Sequence, residues 1–425
     1  MLDTAVNQAR CVLSCKRMLK SLRIKNFRLL RDVNVEFASN WLTVFVGPNG
    51  SGKSTILEVL DFLSCCADHG LETAARAHGG IDGFRTAGRS DPVEIQAMWH
   101  FYTEGESLPG VVGLDWHLVL DRGASGAAVV RRETLRDLTN PEAPVVIVRT
   151  ADDGARTVIS ERDVSERPSK VRSDTELAFE AVVDADRYPG LSWLNFLAGE
   201  IRVVGSLSTA PAWARTDSSG PSPRDSLVIG PQEFLGRQGV GLTNVLYSLQ
   251  SDAPAAWAEL ERAFRSEFPF VRRIAFPADP GGSKIALAFE DARYPGRKLF
   301  ASEMSDGAIA YLCLLAAILQ PKQFSVLGLD EPDANLHPSA LRRFMDLVQR
   351  PRPVRPVAIV THSNALLDEL HDPADSVRIV ESSKDGAIVR KLDKGALDAW
   401  RKEYTLSEMR KTGLLDTPNS AQDTD

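Results

Sequence analysis

Apolar positions along the chain follow two rhythms. From Leu19 the text reads LKSLRIKNFRLL, then DVNVEF, then WLTVFV, short apolar and β-branched runs broken by polar residues, and each predicts a strand. A glycine-rich turn comes next, and after it STILEVLDFL (54–63) carries apolar residues at helical spacing, so strand, loop and helix succeed one another. Between about 85 and 300 the runs VEIQAMWHFY, LDWHLVL, AAVVRRE, PVVIVRT and TVISERD, separated by Gly, Pro, Asp and Ser, predict an antiparallel lobe. Within the same stretch PAAWAELERAFRSEF predicts a helix, and RRIAF and KIALAFE predict strands. From Ser302 the segments SDGAIAYLCLLAAIL, FSVLGLD, SALRRFMDLV and PVAIVTH alternate helix with buried strand, the pattern of a parallel α/β sheet.

The two α/β stretches read as one core split by a long insertion. Residues 18–85 and 302–425 are expected to form the core, and 86–301 an inserted β and helical lobe. Residues 205–226, rich in Ser, Pro and Gly, read as an exposed loop. Residues 1–17 precede the first strand and read as a flexible extension or as an upstream choice of start. No internal repeat is visible, and no heptad pattern lasts the three or four cycles of a long coiled coil.

Composition removes several classes. The chain has 425 residues, 43% hydrophobic and 25% charged, which excludes collagen-like, disulfide-scaffold and wholly disordered proteins. Fifty basic against 57 acidic residues give a net charge of −7, so any contact with nucleic acid must be local rather than a general polycationic attraction. No apolar run approaches the roughly 18 residues of a membrane helix, and the start lacks the order of a signal peptide. Five cysteines without zinc-like spacing (Cys11 and Cys15; Cys65 and Cys66 adjacent) suit a reducing cytoplasm.

Three short motifs carry chemistry. Gly47-Pro-Asn49-Gly50-Ser51-Gly52-Lys53-Ser54 matches G-x-x-x-x-G-K-[ST] between a predicted strand and a predicted helix. Glycines there let backbone N–H groups turn toward phosphate oxygens, Lys53 adds a point positive charge and Ser54 a hydroxyl for Mg²⁺. The run FSVLGL ends in Asp330 and Glu331. At the end of a buried strand beside a phosphate loop, Asp330 would hold Mg²⁺ and Glu331 would accept a proton from the attacking water or orient it. PVAIVT ends in His362, from which a hydrogen bond to a γ-phosphate is reachable. Taken alone, the acidic pair would read as a capped turn and the histidine as structural; their order and spacing after the phosphate loop reverse that weighting.

The set GPNGSGKST, LGLDEPDANLHP and VTHSNALLDEL, in this order, resembles the ATPase heads of the ABC type, and most closely the RecF/SMC-like branch that includes the ATPase part of OLD-family nucleases and is named AAA family ATPase. LKSLRIKNFRLLRDVNVEF, GVGLTNVLYSLQ (239–250) and KEYTLSEMRKTGLL (402–415) are similar to segments of that branch. The resemblance implies a P-loop NTPase of α/β class, an ABC-ATPase-like head with a mixed or parallel sheet, an antiparallel β lobe and a helical insertion. It implies ATP and Mg²⁺, with Asn49 to Thr55 (Asn49, Gly50, Ser51, Gly52, Lys53, Ser54, Thr55) around the phosphates and Lys53, Glu331 and His362 acting in hydrolysis. It further implies dimerisation around ATP, with a signature segment of one subunit capping the nucleotide of the other. The matching position is Ser302-Glu-Met-Ser305-Asp306-Gly307, in which Ser305 and Gly307 are the expected contacts; it departs from the transporter form LSGGQ, and by itself it reads as a helix N-cap. A glutamine lever between lobes is implied too, for which Gln96 and Gln232 are both open.

A chromosome-type SMC protein would need long heptads, and an importer ATPase would carry LSGGQ; an OLD nuclease would continue into an acidic metal-binding domain, which does not follow in this sequence. The expectation is therefore a head that controls a separate effector or nucleic acid in bacterial anti-phage defence, with RecF-like DNA maintenance and an ATP sensor of little turnover as alternatives. Arg342, Arg343, Arg350, Arg352 and Arg355, and Arg131, Arg132 and Arg136, are the local clusters through which nucleic acid would be touched, although charge runs are usually solvated faces. No membrane partner is expected.

Overall fold

The computed structural model describes residues 16–102, 113–138, 146–150, 156–158, 169–171, 173–181, 188–210, 221–230, 232–278, 283–322, 324–350, 356–384, 386–392 and a few positions between 394 and 408. The chain opens with β1 (Lys16–Phe27), β2 (Leu30–Glu36) and β3 (Leu42–Val46), followed by α1 (Lys53–His69), α2 (Leu71–Ala77) and α3 (Gly80–Phe84). β4 (Val93–Tyr102), β5 (Gly113–Arg122), β6 (Ala128–Asp137), β7 (Val146–Thr150), β8 (Arg156–Val158) and β9 (Ser169–Val171) come next. After α4 (Ala178–Ala181) and α5 (Pro189–Gly199), β10 (Ile201–Val204) leads to α6 (Leu242–Asp252) and α7 (Pro254–Glu267). The three-stranded meander β11 (Val271–Ala275), β12 (Ala288–Asp291) and β13 (Lys298–Phe300) precedes α8 (Asp306–Ile318). The last part alternates β14 (Val326–Asp330), α9 (Pro338–Val348), β15 (Val357–Val360), α10 (Asn364–Asp368), α11 (Pro373–Ser376), β16 (Val377–Ser383) and β17 (Gly386–Lys391).

Two large sheets organise these elements. One is antiparallel throughout, in the order β2-β1-β4-β5-β6-β7-β8-β9. The other runs β10-β14-β15-β3-β16-β17, parallel except for its last pair. Strands of the second sheet are covered on both faces, which is why β3, β14 and β15 read as continuous apolar runs. Their alternate residues enter different cores: Phe45, Ala358 and Val360 join α1 and the antiparallel sheet, whereas Val44, Val46, Leu329 and Ile359 join α6 to α9. Ile56, Leu57, Leu60 and Leu63 of α1 are all buried in the first core, each stabilising by about 1.5–3 kcal/mol. This burial fixes α1 against the sheet and hence the loop that precedes it. Among the described residues no helix is long and apolar enough to cross a membrane.

Several expectations shift. β1 starts at Lys16, and the Arg17 guanidinium is buried 2.6 Å from Glu200, so residues 16 and 17 belong to the fold rather than to an extension; residues 1–15 lie outside the described residues. The stretch 86–301 is not a separate insertion in terms of sheets. It supplies β10, an edge strand of the parallel sheet, and its strands β4 to β6 continue the sheet begun by β1 and β2. Of the expected exposed loop 205–226, residues 211–220 lie outside the described residues, while Thr209, Ser222 and Arg224 are buried, because the polar segment turns inward onto the start of α8. Most of 402–415 lies outside the described residues.

Candidate nucleotide site

Parallel pairing sets the site. Asp330 stands level with Val360, and Val360 with Phe45, so β14, β15 and β3 end along one edge of the sheet. Backbone bonds continue past the strand ends: the Glu331 N–H donates to Val360 O (2.9 Å) and the Thr361 N–H to Phe45 O (3.2 Å). The polar residues that terminate the three apolar runs are thereby gathered at the carboxyl edge, where open α/β sheets bind ligands.

The loop between β3 and α1 turns on Gly52, whose φ of 101° is a left-handed value that L side chains resist. Lys53 is buried and its Nζ donates to the carbonyls of Pro48 (2.8 Å) and Gly47 (3.1 Å), so the ammonium lies across its own loop. Ser51 Oγ is buried inside the loop without a hydrogen-bond partner among the described residues, a donor that a phosphate oxygen would satisfy. Asn49 and Gly50 are exposed at the loop tip, and Thr55 is half-buried. The Ser54 hydroxyl donates to Asp330 Oδ1 at 3.1 Å, which places one hydroxyl and one carboxylate as neighbouring hard-oxygen ligands suited to Mg²⁺. Burial pushes the Asp330 carboxyl above its ordinary range, against the opposing effects of Ser54, Lys53 and His362.

Glu331 holds a left-handed backbone (φ 49°), unusual for a residue with a side chain. Its carboxylate accepts from the His362 N–H (3.2 Å), and its other oxygen is 3.4 Å from His362 Nε2. Burial, then the nearby carboxylates of Asp333 and Asp330, raise the Glu331 carboxyl, partly offset by that N–H. Thr361 Oγ1 donates to Asp333 Oδ1 (2.6 Å) and accepts from the Ser363 N–H (2.8 Å), fixing the loop that carries His362 to the loop after Glu331.

Thus the structure brings together Lys53, Ser54, Asp330, Glu331 and His362. Ser305 and Gly307 lie in another neighbourhood. Ser305 is the N-cap of α8, accepting from the Ala308 N–H (3.2 Å), and Gly307 packs so tightly on the loop after Glu331 that a Cβ would sit 2.5 Å from Asn335 O. The two candidate glutamines are engaged elsewhere. Gln96 in β4 donates to Asp115 (2.8 Å), and Gln232 donates to the Phe234 carbonyl (3.2 Å). Arg237, five residues beyond Gln232, instead makes a bidentate pair with Asp61 of α1. Among the basic clusters, Arg131, Arg342, Arg343 and Arg350 are paired with Asp121, Glu369, Glu267 and Glu259, and Arg352 and Arg355 lie outside the described residues.

Sequence reading missed the wall beside the phosphate loop. A cleft of about 640 Å³ opens next to Ser54 and Thr55, lined further by Arg28, Leu29, Glu58 and Arg85, and this volume suits a nucleoside. Arg28 pairs with Glu58 at 2.5 Å. The only signal in the sequence was the polar break between β1 and β2, which reads as an ordinary hairpin turn.

The family model described as "AAA ATPase domain" matches residues 18–95, and "AAA domain, putative AbiEii toxin, Type IV TA system" matches 234–368. The chain is 50% identical over 46 residues to an OLD nuclease of Thermus scotoductus (11% of this chain, 8% of that protein) and 41% identical over 51 residues to the DNA replication and repair protein RecF of Lactococcus lactis subsp. cremoris (12% and 14%). The matches therefore span only a small part of either relative. The fold is similar to that of an Smc head solved bound to the C-winged helix domain of ScpA, with a TM-score of 0.54 at 15% identity over 90% of this chain and 99% of that one. Motif order and both family models agree on an ATP-binding ATPase domain of the AAA type, similar over short segments to RecF and to an OLD nuclease, and similar in fold to an Smc head.

Proposed function

We propose that the protein binds and hydrolyses Mg-ATP, closes as a dimer around two nucleotides, and uses that closure to control a separate effector or nucleic acid in the bacterial cytoplasm. The observation that carries this reading is the meeting of Lys53, Ser54, Asp330, Glu331 and His362 at one sheet edge, through the Ser54–Asp330 and Glu331–His362 contacts. Residues 49–55 cradle the phosphates and the cleft by Arg28 and Arg85 receives the nucleoside. Ser54 and Asp330 would hold Mg²⁺, which supplies charge neutralisation at the phosphates when bound. Glu331, raised in pKa yet anchored through the His362 N–H, takes the proton of the attacking water or orients it. His362 senses the γ-phosphate, and Ser305 and Gly307 of a second copy cap it, so that loss of the γ-phosphate reopens the dimer.

A setting in anti-phage defence or a toxin-like system is supported by the match to the second family model, that of a domain of Type IV toxin–antitoxin systems, and by the likeness to an OLD nuclease. A RecF-like role in DNA maintenance is supported by the RecF match. The test is phosphate release and light scattering with saturating ATP, for wild type, Lys53→Ala and Glu331→Gln. The reading expects Glu331→Gln to accumulate as an ATP-bound dimer; a strictly monomeric Glu331→Gln would refute the closure. Stimulation of release by DNA with no co-purifying protein would favour DNA maintenance.

A further inference from the structure

We propose that Arg224 is the positioning residue of the turn that opens α8, holding Ser305 and Gly307 in the arrangement with which they face the nucleotide of a second copy of the chain; this rests on the dimer reading above. Arg224 comes from a Ser- and Pro-rich stretch, yet its side chain is only 3% exposed. Its Nε donates to Thr209 O (2.7 Å). One terminal nitrogen donates to Met304 O (2.8 Å) and to Ala301 O, and the other to Asp306 Oδ1 (2.6 Å). The contacts bracket Ser305, with Met304 before it and Asp306 after it.

A buried guanidinium persists only where its donors are matched, and here three of the four matching groups, the carbonyls of Ala301 and Met304 and the carboxylate of Asp306, belong to one turn. The planar fork reaches them simultaneously, which a lysine ammonium cannot do. On its other side the same turn is closed by Asn335 O against Gly307. The turn is thus pinned between Arg224 and the loop that follows Glu331. Ser305 itself is exposed, as a group that meets a second molecule must be.

The experiment uses the full chain. Arg224→Lys is expected to leave ATP affinity of the monomer within about twofold while lowering ATP-dependent association and phosphate release at least ~10-fold, because a shift of about 1 Å in a positioned group has that consequence. Mixing it with Lys53→Ala supplies what a merely structural defect would not. Each mixed dimer then holds one complete site, formed by the phosphate loop of the Arg224→Lys subunit and the turn of the Lys53→Ala subunit. Release is expected to recover to roughly a quarter of the wild-type rate, half of the dimers being mixed with one competent site of two. Wild-type behaviour of Arg224→Lys, or a loss that mixing does not restore while hydrogen exchange of amides 302–308 stays at the wild-type rate, would overturn the proposal. If Arg224→Lys does not fold, Asp306→Ala removes only the outer contact and should show a smaller loss with the same rescue. Should Glu331→Gln fail to assemble with ATP, the dimer reading is what has failed. Exchange of amides 302–308 in monomeric Arg224→Lys then decides whether Arg224 orders the turn: faster exchange upholds that part, unchanged exchange overturns it.

Discussion

The two large sheets deal with polar side chains in opposite ways. In the parallel sheet β3, β14 and β15 are buried almost along their length, and apart from the buried Thr43, whose hydroxyl accepts from the Ala38 N–H, their polar residues stand where the strands stop. In the antiparallel sheet polar residues run along one face in rows: Arg23, Gln96, His117 and Thr134 are successive cross-strand partners, and beside them Lys25 faces Glu94, with Val119 standing between Glu94 and Arg132. Those rows satisfy themselves, through Gln96 with Asp115, Lys25 with Glu94 (3.1 Å) and Arg23 with Asp32 (3.2 Å). Strand neighbours lie within reach of a polar group on a sheet face, whereas a polar group just past a strand end has loop backbone and open space. Chemistry is accordingly concentrated at the edge of the buried sheet, and the half-open sheet acts as scaffold.

The hardest test of that contrast is Glu331→Gln. It keeps the shape of the side chain and its acceptor for the His362 N–H but removes the proton acceptor, so phosphate release should fall about 10²–10³-fold, within the range of lost general-base catalysis. A loss under tenfold in a steady-state assay would mean that another group serves as base. Next in size is Gly307→Ala. Its Cβ would meet a backbone carbonyl at 2.5 Å, which no side-chain rotation relieves, and overpacking of this kind costs about 1–3 kcal/mol. We expect a drop of at least ~10-fold in ATP-dependent association, seen by sedimentation, with secondary structure retained.

Acid groups in the two regions should give opposite signs in stability. Burial raises Asp330, so the folded protein binds a proton there more readily than the unfolded chain. Its contribution to stability therefore falls as pH rises from the unfolded value through the raised folded one, and above that window the cost of a buried charge is complete. Asp121 in β5 is also pushed up by burial, but the Arg122 N–H and the Arg131 guanidinium more than offset this and leave it below its ordinary range. Its stabilisation is present above the unfolded value and is lost as pH falls through the folded one. Near pH 8 and without nucleotide, Asp330→Asn should raise Tm by about a degree and Asp121→Asn should lower it by about as much. Both differences should vanish in acid, as followed by thermal melts across pH; equal signs near pH 8 would erase the distinction between the sheets.

How legible each region was in the sequence follows from the same contrast. The strands that lead into Lys53, Asp330 and His362 could be read because buried parallel strands leave unmistakable apolar runs, and Glu331 and His362 stand within two residues of their ends. The strands Val93–Tyr102 and Gly113–Arg122 were equally visible through their alternation. What alternation could not reveal is which sheet a short strand joins: Ile201–Val204 is four residues long and its partner β14 lies more than a hundred residues away. Arg224 was hidden because a polar residue in a Ser- and Pro-rich stretch reads as solvated, and its burial depends on carbonyls of residues 301–306 that periodicity does not place. The Arg28 and Arg85 wall was hidden for a related reason, since two turns far apart in sequence meet only after β1 and β4 pair.

The smallest expected effect concerns Gln96, which the family resemblance left open as a lever between lobes. In the fold it lies mid-strand, and its amide donates to both oxygens of Asp115 at 2.8 and 3.0 Å. A side chain held in this way cannot swing toward the phosphate edge without abandoning a buried carboxylate, so Gln96→Ala should change phosphate release by no more than about twofold, although the Asp115 carboxylate, losing its partner, should cost about 1 kcal/mol of stability. Arg237→Ala, which cuts the connection between the 232–241 segment and Asp61 of α1, should have the larger effect on release at equal stability loss. A tenfold loss confined to Gln96→Ala would show that the antiparallel sheet takes part in the nucleotide cycle, and the division between a chemical edge and a passive scaffold would have to be abandoned.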